Sequence, residues 1–512
     1  MKKPGLTLRS LLSDSLLYGL GAVLARFVNY LLVPVHTNVF APESYITIGL
    51  VYAMIAFSQV AFSLGMESAY IKYSKDRSEA VKVFRSGQWI LLGVATTLGA
   101  TLFGMQDLLA HGLRIPEGVT PIIFASIAII LWMDTMVVLP MAELRVAQRP
   151  LVFASLRMIH VVLNVGLNVW LLWGQGMGVE AVFVSNAIAS TMVAIGAWIV
   201  TWTTFSQGEW DAAWARKAFA FGWPLIPAGL AHILNEMVDR FFLTNMSLAD
   251  VERLYGAGMS PDAVAGLYNG VYKLSVFMLL VVQMFRLAWQ PFFMRNGDQE
   301  GAQTLFARAF VGLSLLSGLV ILWVGSFASG IAMIQLPGTD ISLLDAAYLP
   351  ALDVVPWLLL AYALYGWYIY SSVGIYLNGS SRTLGWITVT GAGVTLMMNA
   401  ILVPILGMMG SAIATVCSYG VMATILSIRS HAHYPIPTPW WLGIGILCCA
   451  FIVPLSIQSE WLGQRFEDPT GAWRFGLAIG VSALLLATGW VWDRKQTKAL
   501  SFEHKKRPHL ER

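Results

Sequence analysis

The sequence predicts an all-α, polytopic membrane protein of about 14 transmembrane helices, built as two six-helix lobes related by a parallel repeat, with two further helices at the C-terminal end. Three observations predict it. Of 512 residues, 57% are hydrophobic and only 12% charged, about half the roughly 25% of an ordinary soluble protein. Such a chain lacks the polar surface to face water. Apolar segments of spanning length, close to the ~20 residues a membrane helix needs, recur along the whole chain. Two stretches also repeat in order with similar offsets.

The spans are expected at 12–35, 44–66, 87–106, 119–141, 152–173, 179–203, 220–245, 265–288, 305–331, 353–377, 384–405, 409–428, 439–457 and 474–492. The first is preceded by Lys2, Lys3 and Arg9 but shows no small-residue cleavage site, so it reads as a retained helix and not a signal peptide. An even number of spans puts both termini on one side. The loops and tails on that side hold 23 Lys and Arg, against four (Arg114, Arg253, Arg465 and Arg474) on the other. That bias predicts cytoplasmic termini.

The repeat pairs "NVWLLWGQGMGVEAV" (168–182) with "NAILVPILGMMGSAI" (399–413), and "FSLGMES" (62–68) with "FRLAWQP" (285–291), at offsets of 231 and 223 residues. The expected organisation is an N-terminal lobe over 1–204, a linker over 205–219, a C-terminal lobe over 220–430, two helices over 431–492 and a basic tail over 493–512. Parallel repeats in membrane proteins usually carry a substrate site between two lobes. The linker "FSQGEWDAAWARKAF" has Trp210 and Trp214 one turn apart, the pattern of an amphipathic helix on the cytoplasmic surface.

Several function classes are excluded at once. A net charge of +4 is too small to suggest nucleic acid. Cys417, Cys448 and Cys449 lie in apolar runs, which favours packing over disulfides or metal. No Gly-Lys dipeptide and no HExxH occurs, so there is no Walker A loop and no such zinc site. No cofactor is expected. The longest loop on the outer side is about 20 residues, too short to house an enzyme's chemistry. The membrane interior is left as the place where function resides.

Ionisable residues inside a bilayer are costly and mark functional positions. The seventh span, "FGWPLIPAGLAHILNEMVDRFFL", carries His232, Asn235, Glu236, Asp239 and Arg240 within an arc of about 140° of the helix. Pro224 and Pro227 weaken its early hydrogen-bond ladder and permit a bend. The fifth span carries Arg157, His160, Asn164 and Asn168 on one stripe, and the first carries Arg26 with Asn29 on its face. Lys273 lies roughly 12 Å inside the eighth span at 1.5 Å per residue. Arg26, Arg157, Arg240 and Lys273 are the expected anion-binding groups, since Arg binds phosphate through two oxygens. Glu236 and Asp239 are the expected coupling or switching acids. A static ion pair, Glu236 with Arg240 or Asp239 with Lys273, is the alternative. The aromatic run "YALYGWYIYSSVGIY" (362–376) fits sugar stacking or plain packing.

The segments "LLVPVHTNVFAPESYITIGLVYAMIAF…LGMESAYIKY", "WPLIPAGLAHILNEMVDRFFL", "GLYNGVYKLSVFMLLVVQMFRLAWQPFF" and "MMNAILVPILGMMGSAIAT", in this order, resemble polysaccharide transporter flippases of the multidrug/oligosaccharidyl-lipid/polysaccharide exporter superfamily, closest to the Wzx-like O-antigen type. The resemblance implies a bacterial cytoplasmic (inner) membrane protein. By alternating access it would move polyprenyl-diphosphate-linked oligosaccharide, working with polysaccharide assembly proteins, with coupling to H+ or Na+ left open. Asp239 and Arg240 match the family's Asp-Arg motif, Lys273 its Tyr-Lys, and Arg26 resembles the first-span Arg of related lipid-diphosphate flippases. His36 stands where Tyr is commoner. A lipid II flippase and a cation-coupled multidrug exporter are the rivals within the superfamily. An O-antigen polymerase or ligase is the rival outside it.

Overall fold

A computed structural model describes residues 30–74, 76–379, 381–458 and 472–506. Among the described residues the backbone is helical or irregular, apart from one bridge between Gln335 and Ser342. Thirteen helices there are long and apolar enough to cross a membrane. They correspond one for one to the second through fourteenth expected spans. Most of the first expected span, with Arg26 and Asn29, lies outside the described residues.

The chain divides into two compact units. The first comprises residues 1–270, 335–348 and 399–407. Its labelled helices are α1 (Leu32–Val39), α2 (Pro42–Ser63), α3 (Met66–Tyr73), α4 (Arg77–Gly104), α5 (Thr120–Val146), α6 (Pro150–Val169), α7 (Glu180–Gln207), α8 (Ala212–Gly222), α9 (Ile226–Thr244) and α10 (Pro261–Tyr272), which leaves the unit after Gly270.

Helix α5 is central, packing against α2, α3, α4, α6 and α7. Two polar devices hold it. Pro140 lies inside α5 and cannot donate to the carbonyl of Met136 one turn back. The side chain of Gln88 on α4 donates to that carbonyl instead, at 3.1 Å. One turn on, the buried carboxylate of Glu143 accepts from Tyr70 of α3, Arg77 of α4 and Thr204 of α7. Both of its oxygens are thus satisfied, as a buried charge requires.

The expected linker lies inside the first unit, with different edges. Helix α7 runs on to Gln207, Gly208 is extended, and α8 starts at Ala212, where the Asp211 side chain accepts from the backbone N–H groups of Ala213 and Trp214. That is an N-cap, which stops α8 from starting earlier. Trp214 packs edge-on to Tyr73 at 5.5 Å, while Trp210 is exposed. The bend expected at the prolines takes the form of a 3-10 turn over Trp223–Leu225, and Pro227 falls in the first turn of α9, where its missing N–H costs nothing.

The second unit comprises residues 271–334, 349–398 and 408–512. Its helices are α11 (Val276–Asn296), α12 (Ala302–Ser326), α13 (Val355–Tyr370), α14 (Ser381–Leu406), α15 (Met408–His433), α16 (Trp440–Gln458) and α17 (Ala472–Lys506). Residues 399–407 of α14 and its end belong to the first unit. Helix α13 packs on α15, and α12 on α16 and α17. The aromatic run falls in this core. Tyr362 and Tyr370 are 2% and 1% exposed, and Trp367 donates to Ser314 at 3.1 Å. For these three rings the structure shows packing.

Candidate functional site

The polar stripe of α9 sorts into an open end and a closed end. His232 is exposed and Glu236 half-buried, whereas Asn235, Asp239 and Arg240 are buried. Arg240 is 2% exposed and Asp239 4%. The Arg240 Nη1 donates to Asp239 Oδ1 at 2.8 Å and to the backbone carbonyl of Glu236 at 3.0 Å. Its Nε donates to the side-chain carbonyl of Asn269 on α10 at 3.0 Å. Asp239 Oδ1 also accepts the backbone N–H of Arg240.

Asn269 is placed by Gly49. A Cβ on Gly49 would sit 2.9 Å from the Asn269 amide nitrogen, so α2 comes this close to α10 only because residue 49 has none. A buried ion pair offsets its desolvation only when further hydrogen bonds satisfy both partners. Arg240 has such bonds from its own helix and from α10. The geometry is that of a strut across α2, α9 and α10.

Helix α6 is arranged differently. Asn164 and Asn168 are buried, at 5% and 0% exposure. The Asn168 amide donates to the backbone and side-chain carbonyls of Asn164, at 2.9 and 3.1 Å. Its own carbonyl lies 3.0 Å from His36 Nε2 on α1. His36, where the resembled family more often has Tyr, thus anchors α1 to α6. The other two stripe residues are more open. Arg157 is exposed and lies over the Phe153 ring at 5.8 Å, while half-buried His160 places Nε2 3.2 Å from Ser190 Oγ on α7.

Sequence reading missed an acid at this end. Asp134, in "LWMDTMVV" on α5, is half-buried and stands within electrostatic range of His160 and Arg157. Tyr52 of α2 is also within its range, and the Tyr52 hydroxyl accepts from Asn186 of α7 at 3.4 Å. The signal was available: a lone acid in the middle of an apolar span marks a functional position by default. Its partners were not legible, because they come from two other helices.

Lys273 opens a 3-10 turn between α10 and α11, is half-buried, and belongs to the second unit. Next to it the hydroxyl of Tyr272 lies 2.7 Å from that of Tyr362. Among the described residues no group of three His, Cys, Asp or Glu converges as a metal site would require.

Solved structures share this fold at low identity. The lipid II flippase MurJ, in an inward closed conformation, superposes with a TM-score of 0.69 at 11% identity, covering 92% of this chain and 98% of that one. An inward-facing multidrug resistance MATE family transporter of the MOP superfamily gives 0.60 at 14%, covering 79% and 93%. A MOP superfamily transporter from Pyrococcus furiosus, described by the reverse polarity of its binding pocket, gives 0.56 at 14%, covering 82% and 95%. No curated protein sequence matches significantly. The model of one family, described as polysaccharide biosynthesis protein, matches residues 11–296, more than half of the chain. The chain is thus a member of the polysaccharide biosynthesis protein family, with the fold of the MOP superfamily transporters.

Proposed function

We propose that this protein is a flippase that moves polyprenyl-diphosphate-linked oligosaccharide, such as O-antigen or exopolysaccharide repeat units, across the bacterial cytoplasmic membrane by alternating access between two six-helix lobes. The observation that carries the reading is Arg157: a guanidinium about 10 Å along a membrane span, at 1.5 Å per residue, exposed and not buried in a strut. An exposed cation at that depth attracts an anion strongly, because little water screens it. The diphosphate is the anionic part of the substrate. The hydrophilic sugars would pass with it while the lipid tail stays in the bilayer.

Arg26 and Lys273 are proposed as further diphosphate contacts. Arg240 is proposed to shape the site from its buried position, with Asp239 and Glu236 as its partners. Asn29, His160, Asn164, Asn168, His232 and Asn235 are proposed as polar lining. The two termini are proposed to be cytoplasmic, so a reporter active only outside the cytoplasm should be silent at residue 500 and active near residue 255.

The test is transport in proteoliposomes with defined diphosphate-linked glycans. Robust flipping of a polyprenyl-diphosphate oligosaccharide, with no movement of lipid II or of a cationic drug, is the expected result. Equal or faster movement of lipid II would replace the reading with a peptidoglycan-precursor flippase. Drug export alone would replace it with a multidrug exporter. Arg26→Ala should abolish flipping in protein that still inserts, and Arg26→Lys should restore part of it, since an ammonium is a point charge.

A further inference from the structure

Four spans of the first unit come to an end together. Helix α4 starts at Arg77, α5 stops at Val146, α6 starts at Pro150 and α7 runs out at Gln207. A cavity of about 360 Å³ opens among these ends, a volume typical of small-ligand sites. Because the apolar spans stop here, the cavity lies at the level of the lipid headgroups. Its charged lining is Arg77, Glu143 and Arg149. The Glu143 carboxylate, 4% exposed, is already taken by Tyr70, Arg77 and Thr204. Arg77 also donates Nη2 to Thr204 at 2.9 Å, yet its side chain is 56% exposed and keeps N–H groups beyond those two bonds. Arg149 is more open. It is exposed, and among the described residues it makes no ion pair. Its backbone is fixed on both sides. Its N–H donates to the Leu144 carbonyl at 2.8 Å, Gln148 before it has φ 54°, and Pro150 follows it. A left-handed residue other than glycine is uncommon; here it closes α5 and turns the chain so that Arg149 joins the cavity wall.

We infer that this cavity holds the phosphodiester headgroup of an anionic glycerophospholipid, with the phosphate between Arg149 and Arg77. Charge supports a diester. Two guanidiniums and one carboxylate leave the lining with a single positive charge, which one phosphodiester neutralises, whereas a phosphate monoester carries about −1.5 to −2 at pH 7. Arginine suits the task because its planar fork can meet two phosphate oxygens at once. The rest of the wall supports a lipid over a free anion. Leu144, Val146 and Val200 line the cavity, and they would face the first carbons of the glycerol and its chains. Glu143 does not oppose the phosphate, because three donors already hold its charge. A headgroup seated here touches the ends of α4, α5, α6 and α7 together and would brace them. The inference does not depend on the transported substrate.

The experiment uses the full chain, purified in detergent and stripped of lipid. The probe is dioctanoyl phosphatidylglycerol, with dioctanoyl phosphatidylcholine and glycerol 3-phosphate as comparison arms. Native mass spectrometry counts the bound molecules and titrates their affinity. The expected result is one saturable phosphatidylglycerol per chain, bound at least about tenfold more tightly than phosphatidylcholine. Arg149→Gln should weaken it at least about tenfold, the loss of hydrogen bonds to a charged group. Lys82→Gln, exposed on α4 but outside the lining, should leave it unchanged. Should Arg149→Gln fail to purify as a monodisperse protein, Ala147→Phe serves: at the exposed rim it fills the cavity and should abolish binding. Equal binding of the two lipids would overturn the inference. So would wild-type affinity in Arg149→Gln or Ala147→Phe, or an equal loss in Lys82→Gln, which would mark a diffuse basic surface. Glycerol 3-phosphate bound as tightly as the lipid would overturn the lipid as the source of the phosphate. No diphosphate enters the assay, so the flippase reading stands or falls separately.

Discussion

Two acid–arginine sets lie in the membrane spans of the first unit, and they are built in opposite ways. Asp239 and Arg240 are neighbours on α9, both under 5% exposed, and Arg240 is held by a carboxylate, a backbone carbonyl and Asn269. Asp134 and Arg157 come from different helices, Arg157 is exposed, and the two act on each other through space. The first set bonds Nε and Nη1 of its guanidinium to the protein. The second leaves a guanidinium for something else. Charge at membrane depth therefore does not identify a working site by itself; the fraction of its hydrogen-bonding capacity already satisfied separates strut from site.

The largest expected effect breaks the strut. Arg240→Ala leaves Asp239 buried without its counter-charge, which costs about 3–5 kcal/mol, so the thermal midpoint in detergent should fall steeply and membrane yield with it. Asp239→Leu with Arg240→Met should recover most of that loss, because an apolar pair needs no desolvation. A double variant as unstable as Arg240→Ala would show that the charges themselves are required.

The next effect sharpens the geometry. Gly49→Ala puts a methyl group 2.9 Å from the Asn269 amide, which is held in place by its bond to Arg240. The expected cost is about 1–3 kcal/mol, and Asn269→Ala should cost a similar amount by leaving Arg240 Nε unsatisfied. Combining the two should cost less than their sum, since both act through one contact. Additive midpoints would place Gly49 outside the strut. The smallest structural effect is expected at the other set. Arg157→Gln should move stability by about 0.5 kcal/mol or less, as surface changes do, while its functional effect is large.

The comparison also shows what the sequence carries and where it stops. The spans were legible because hydrophobic length is a local property: the thirteen described spanning helices fall on expected segments. Edges were less so. The linker shifted because caps such as Asp211 act over single residues. The polar stripes of α6 and α9 were legible from helical period. Long-range pairing was not: Arg240 bonds to Asp239 beside it and reaches Asn269, 29 residues away. Asp134 was overlooked because its neighbour His160 comes from another helix, which only the fold brings beside it.

The measurement that bears most directly on this account is the rate at which Arg157→Gln flips a defined polyprenyl-diphosphate oligosaccharide in proteoliposomes, normalised to folded protein. Loss of a charge-assisted phosphate contact predicts a rate at least about tenfold below wild type, with an unchanged thermal midpoint. A wild-type rate at an unchanged midpoint would contradict the claim that the exposed guanidinium of α6, and not the buried one of α9, meets the substrate.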